Sequence, residues 1–204
     1  FQGACPASAE FMVLDLEPMK TSLPARIESL PVAVLGAGPV GLAAAAQLIE
    51  RGMEFFILEA GSRVGANLLD YGHVRLFSPW RYNVSPAMSR LLEGTGWKQP
   101  ADEGLPLAAE VVTKLLEPFA KLPKVASNLH LATRVVAISR EGFDKVKSRG
   151  REAAPFVIRA LRDGEVVEFR ARAVIDSTGT WNTPNPLGAG GLEATGEAQA
   201  SGAH

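Results

Sequence analysis

The chain opens its ordered pattern with a short Val-rich apolar run, Val32 to Leu35, which has the character of a buried parallel strand. From Pro39 the composition turns to Ala and Leu, strong helix formers, and Pro39 suits a first helical turn because its missing N–H costs nothing there. Arg51 and Gly52 mark the end of that helix, and Phe55 to Leu58 gives a second apolar strand closing on Glu59. Residues 61–83 break the alternation, being rich in Gly, Arg and aromatics. A short helix comes next, with Ser85 as cap, Pro86 at its first position and Gly94 after its end. A longer helix is expected over Leu107 to Leu122, with Ala108, Val111, Val112, Leu115, Leu116 and Phe119 on one stripe. Glu110 with Lys114 and Glu117 with Lys121 line its wet side, and Pro118 should kink or shorten it.

The period then changes to two. Residues 129–139 read as one strand, and EGFDKVKSRGRE as a loop. Phe156 to Arg162 and Glu165 to Arg170 flank Asp163-Gly164, a strong two-residue hairpin signal. Its register sets Ile158 against Phe169, Leu161 against Val166, Arg159 against Glu168 and Arg162 against Glu165. Ala173 to Ile175 is a further buried strand, leading into Asp176-Ser177-Thr178-Gly179.

Pro31 to Ile49 runs nineteen residues without a charge, long enough for a membrane span. Its two prolines and three early glycines instead punctuate a strand and a turn. Gly36-Ala37-Gly38-Pro39-Val40-Gly41 is GxGxxG between a strand and a helix. In that setting the first glycine permits the tight turn, the second lets a pyrophosphate approach the backbone, and the third lets helix and sheet pack closely. The helix start offers free N–H groups and a partial positive charge to phosphates. Glu59 comes eighteen residues after Gly41, where an acid can accept ribose hydroxyls and disfavours a 2′-phosphate. The alternative is a structural glycine turn with Glu59 a solvated strand-end acid.

Composition adds exclusions. Of 204 residues, 47% are hydrophobic and 21% charged, ordinary for a globular protein, and a net charge of −1 gives no footprint for nucleic acid or an anionic membrane. The single cysteine, Cys5, can form neither an internal disulfide nor a CxxC pair, and a reducing cytoplasm is the expected setting. Residues 1–11 resemble vector-derived sequence, with Met12 as start, and 12–30 form an N-terminal extension. His73 and His130 lack ligand-spaced partners, so no metal is expected. No nucleophile stands at convincing spacing from a base, and no catalytic side chain is singled out.

GAGPVGL, the terminal Glu59, Thr133-Val135-Ile138 as TxVxxI, the inserted β-meander and the strand ending in Ser-Thr-Gly together resemble the two-dinucleotide-binding flavoproteins. Trp181-Asn182-Thr183-Pro184-Asn185-Pro186 resembles the flavin-containing monooxygenase branch. The resemblance covers residues 31–192 and leaves 193–204 as a flexible tail. It implies an α/β fold: a Rossmann-like FAD-binding domain of three layers (ββα), with a parallel sheet and an inserted antiparallel meander. It implies that FAD is held by Gly36, Gly38, Pro39, Val40 and Gly41 at the pyrophosphate and by Glu59 at the adenosine ribose, with Ala60 and Arg63 beside the acid. Val135 would meet adenine, with core packing as the alternative role, and Thr178 and Gly179 would approach the cofactor, with a plain turn as theirs.

The chain departs from the family where Gly-Gly-x-Trp is usual and Val64-Gly65-Ala66-Asn67-Leu68 stands instead. Asn83 and Asn67 are both candidates for the Asn that monooxygenases place near the flavin. The stretch Arg75 to Asn83 either lines the flavin or substrate pocket or packs on its own domain. A second GxGxxG, for NADPH, is not seen; Gly188-Ala189-Gly190-Gly191 has the wrong spacing. The expectation is therefore the first, FAD-binding portion of a longer oxidoreductase. Intact, that enzyme would take electrons from NADPH and move one oxygen atom onto a nitrogen, sulfur or carbonyl-carbon centre of a small-molecule substrate. The portion alone is not expected to turn over NADPH, and an incomplete domain with exposed core is expected to self-associate. A reductase or dehydrogenase of the same superfamily is the alternative, and a non-catalytic nucleotide-binding module the third.

Overall fold

The computed structural model describes residues 27–183 and 185–200. The vector-like residues 1–11, most of the N-terminal extension, Pro184 and 201–204 lie outside them.

Strands β1 (Val32–Leu35), β2 (Phe55–Leu58), β3 (Leu129–His130) and β7 (Ala173–Asp176) form a parallel sheet in the order β3-β2-β1-β7. Strands β4 (Thr133–Arg140), β5 (Phe156–Arg162) and β6 (Glu165–Ala171) form a separate antiparallel meander. Helix α1 (Pro39–Glu50) joins β1 to β2. The expected α/β, Rossmann-like layering of helices, parallel sheet and meander is present.

Strand alternation divides the apolar residues between two cores, because successive side chains leave a sheet on opposite faces. Val32, Val34, Phe55 and Ile57 point to the helical layer, into a cluster with Leu42, Trp80, Met88, Leu115, Leu116 and Phe119. Ala33, Leu35, Phe56 and Leu58 point to the meander, against Ile158 and Ala171, with Val135, Phe169 and Val174 at the margin. All four residues of β1 and of β2 are buried, which is why both strands read as unbroken apolar runs rather than alternating ones.

The hairpin register is as the sequence predicts, from Ile158 opposite Phe169 to Arg162 opposite Glu165. Asp163 and Gly164 both take positive φ, 52° and 83°, as a two-residue turn matched to strand twist requires.

Four elements differ from the sequence expectation. The strand read over 129–139 is two strands: β3 ends at His130, Ala132 turns at φ 48°, and β4 begins at Thr133 in the other sheet. The loop over 61–83 holds two short helices, α2 (Ala66–Asp70) and α3 (Trp80–Asn83); α4 (Pro86–Leu92) comes after them as expected. The long helix is α5 (Ala108–Val111), a π-helical turn over Val112–Leu116, then α6 (Glu117–Ala120), with α7 (Pro123–Ala126) separate. Pro118 is the physical reason: it has no N–H for the Lys114 carbonyl and its ring crowds that carbonyl, so the preceding turn widens. The segment read as a tail includes a helical turn, α8 (Glu197–Ala200). Among the described residues no helix is long and apolar enough to cross a membrane.

Candidate functional site

The glycine turn between β1 and α1 lies at the carboxyl edge of the parallel sheet. Gly36 continues the sheet, its N–H donating to the Leu58 carbonyl at 2.8 Å. Gly41 meets it from the helix. A Cβ on Gly41 would stand 2.0 Å from the Gly36 oxygen and 2.7 Å from Ser177 Oγ, so only glycine admits this approach. Gly38 is the opposite case: a Cβ there meets nothing within 4 Å. That open space faces the start of α1, whose cap Gly38 supplies no side-chain hydrogen bond. Pro39 has no N–H, and that of Leu42 goes to the Gly38 carbonyl at 3.0 Å. Among the described residues no acceptor is found for the N–H groups of Val40 and Gly41. The turn thus presents free N–H donors, a helix dipole and open space beside Gly38, the makings of an anion cradle.

Glu59 ties this turn to the end of β2. Its Oε2 accepts the Ala37 N–H at 2.6 Å and its Oε1 the Gly61 N–H at 2.7 Å. The carboxylate therefore braces the cradle from within the protein. It retains lone pairs, since an ionised carboxylate offers about four acceptor positions. Its backbone also anchors the next elements, accepting from Thr133 N–H at 2.8 Å and donating to the His130 carbonyl at 2.9 Å.

The other sequence candidates fall around this turn in two groups. Thr178 and Gly179 come directly after β7 and stand exposed at the same sheet edge. The Thr178 hydroxyl and N–H donate to Asp176 Oδ1 at 2.7 and 3.1 Å, and these bonds hold the Asp176 carboxyl below its ordinary range. Val135 sits on β4, two residues past the Thr133 that Glu59 anchors, with its side chain against the meander-side core. Ala60 is exposed beside the acid, and Arg63 forms an ion pair with Glu117 on the helical layer.

The aromatic-basic stretch divides. Trp80 is only 4% exposed and belongs to the core, whereas Phe77 is 95% exposed. Arg81 pairs with Glu103, and Arg75 Nη1 donates to the Leu105 carbonyl at 2.7 Å. The Asn83 amide donates to the carbonyls of Ser78 and Pro79 at 2.7 and 2.9 Å, which commits it to shaping its own loop. His73 lies exposed on the loop. His130 packs beside the stacked rings of Phe56 and Phe169, and burial together with nearby Arg162 lowers its pKa. Among the described residues no three His, Cys, Asp or Glu gather as metal ligands.

Two contacts escape sequence reasoning. Ser177 Oγ donates to the Leu35 carbonyl at 2.5 Å and lies beneath Gly41, locking β7 to the turn. Its signal was its place, a small hydroxyl at the end of the strand next to the glycine turn. Trp181 Nε1 donates to Asp70 Oδ2 at 2.8 Å while its ring lies 4.8 Å from that of Tyr71, tying the chain after β7 to α2. No pattern of spacing announces that pairing.

Known proteins share this fold. A family model described as NAD(P)-binding Rossmann-like domain matches residues 34–93, from the end of β1 through the glycine turn to the end of α4. No curated protein sequence matches the chain. A flavin-containing monooxygenase from Stenotrophomonas maltophilia is similar at 31% identity and TM-score 0.53, over 78% of this chain and 42% of that one. A bacillithiol disulfide reductase from Bacillus cereus shares the fold at 18% identity and TM-score 0.57, over 78% and 42%. So does OTEMO in its complex with FAD and NADP, at 22% identity and TM-score 0.53, over 74% and 26%. The chain spans less than half the length of each of these structures. With its glycine turn, its terminal acid and its meander inserted between two strands of one parallel sheet, the chain is similar in fold and in sequence to the two-dinucleotide-binding flavoproteins.

Proposed function

We propose that this chain is the FAD-binding portion of an FAD-dependent, NADPH-using monooxygenase-like oxidoreductase. The observation that carries the cofactor assignment is the cradle itself: the Val40 and Gly41 N–H groups without acceptors, beside an open Gly38. Those residues fit a pyrophosphate, and Glu59, with lone pairs to spare, fits a ribose that carries no 2′-phosphate. The Val135 backbone, next along from the Glu59–Thr133 bond, is assigned to the adenine, and Thr178-Gly179 to the far side of the cradle toward the flavin. Ala60 and Arg63, next along the chain from the acid, are assigned to the same end of the cofactor.

Bound FAD would supply the redox chemistry, passing electrons from a reduced nicotinamide to dioxygen for transfer of one oxygen atom to a small molecule. The protein's own part is to bind, orient and screen. The dipole of α1 and the free N–H groups neutralise the diphosphate, and the loop 61–83 with Trp181 walls the sheet edge. The nicotinamide site and much of the substrate pocket are assigned to sequence outside this chain, in a cytoplasmic enzyme whose isolated portion associates with itself.

The monooxygenase branch is favoured by the 31% identity to the Stenotrophomonas enzyme and by Trp181-Asn182-Thr183 after the Thr-Gly. A reductase without oxygen transfer is the second reading, favoured by the likeness in fold to the disulfide reductase.

The test is the visible spectrum of the purified chain, before and after adding FAD, with the released chromophore identified. Flavin bands with FAD recovered support the assignment. A colourless chain that also fails to take up FAD, in a longer form as well, overturns it. Product analysis with that longer form separates the branches: oxygenated product for the first, only peroxide or reduced acceptor for the second.

A further inference from the structure

The π-helical turn at Val112–Leu116 touches the dinucleotide turn through one intermediate residue. Pro118 denies the Lys114 carbonyl its usual i+4 donor, and the Trp97 indole supplies one instead, Nε1 to oxygen 2.6 Å. The widened turn closes with Glu117 N–H on the Val112 carbonyl. Its side chains Val112 and Leu116 press on Gly65, where a Cβ would lie 2.8 Å from Val112 Cγ2 and 3.0 Å from Leu116 Cδ1. Gly65 takes φ 65°, a conformation that suits glycine alone at this seat. Its N–H donates to the Ala37 carbonyl at 3.0 Å, in the middle of GxGxxG. The Ala37 N–H is the one held by Glu59. The same helical layer grips the loop at its two ends, through the Arg63–Glu117 ion pair and through Ala109 N–H on the Gly72 carbonyl at 3.1 Å.

We propose that this π-turn, maintained by Pro118 and clamped by Trp97, is a positioning device for the dinucleotide cradle. It fixes Gly65, Gly65 fixes the Ala37 peptide, and the Ala37 peptide sets the aim of the Val40 and Gly41 N–H groups. Trp97 and Pro118 are positioning residues, remote from any ligand. The inference rests on the cradle reading for its ligand but not for its mechanics.

Pro118→Ala is the sharpest variant. It returns an N–H to the Lys114 carbonyl and lets the helix close in the ordinary i→i−4 register. The expected result has two signs. Thermal stability without cofactor stays equal or rises, while amide exchange in peptides covering 36–42 and 61–72 accelerates and FAD affinity falls about tenfold. Trp97→Phe keeps the ring packing but removes the donor, and is expected to accelerate exchange in the same peptides. Unchanged exchange in both variants overturns the proposal. So does a loss of affinity that merely tracks a loss of stability. If the wild-type chain takes up no FAD, the cofactor assignment fails, and exchange alone still decides the mechanical claim.

Discussion

The parallel sheet has two faces, and they are built differently. On the helical face, Phe119, Leu115, Leu116, Met88 and Leu42 are fully buried and make the larger core. On the meander face the buried apolar set is Ala33, Leu35, Phe56, Leu58, Ile158 and Ala171, and polar groups enter the seam. Arg162 Nε donates to Thr133 Oγ1 at 2.9 Å, its Nη2 is buried with no hydrogen-bond partner among the described residues, and His130 lies beside two stacked phenyl rings. The lesson is a division of labour. The thick apolar face holds the elements that shape the glycine turn proposed as a phosphate cradle, and the thin mixed face carries the strand proposed to meet adenine.

The largest test is on the thick face. Phe119→Ala should cost about 3–5 kcal/mol by denaturant unfolding, whereas Ile158→Val on the thin face should cost about 1 kcal/mol. Amide exchange should show β5 and β6 opening before β1 and α1. Equal protection on both faces would erase the distinction. Next in size is a pair of methyl groups within the cradle. Gly41→Ala drives a Cβ into the Gly36 oxygen and should cost about 1–3 kcal/mol along with cofactor binding. Gly38→Ala should cost less than about 1 kcal/mol yet still weaken FAD, because its methyl enters space the fold leaves empty. A Gly38→Ala chain that binds FAD as tightly as wild type would locate the pyrophosphate elsewhere. The smallest effect belongs to His130. Burial and Arg162 lower its pKa in the folded chain, so the unfolded chain takes up the proton first as pH falls. Stability should thus be undiminished by His130 above its unfolded pKa and decline as pH drops through the folded one. Thermal scans between neutral and mildly acidic pH should show that decline in wild type and a shallower one in His130→Gln.

How far these features were legible in the sequence depended on the length scale of their cause. The β1–turn–α1–β2 unit was legible because each residue there obeys a local rule: apolar strand, glycine turn, proline start, Ala-rich helix. The hairpin was legible because Asp163-Gly164 sets a register that the side chains then satisfy. The break at Leu131–Ala132 was not, because a two-residue strand shows no period and the change of sheet depends on which neighbours are present. The π-turn was invisible for a related reason. Its apolar stripe fits an ordinary helix, and the Trp97 bond that completes it comes from seventeen residues away. Glu59 was read as facing a ligand, and the structure adds its grip on Ala37, which no spacing rule contains.

The strand order has one more consequence. Consecutive parallel strands β3 and β7 lie at opposite edges of the sheet, three inter-strand spacings apart, roughly 14 Å. The meander enters through Leu131-Ala132 and leaves through the single residue Arg172, so it spans the sheet like a bridge with very short ramps. It performs the crossover that a helix performs in other α/β units, covering the second face on the way. The insertion is therefore a module with fixed sockets. Any replacement long enough to bridge that width and apolar enough to cover Leu35 and Phe56 meets the same architectural demand, whatever its own secondary structure.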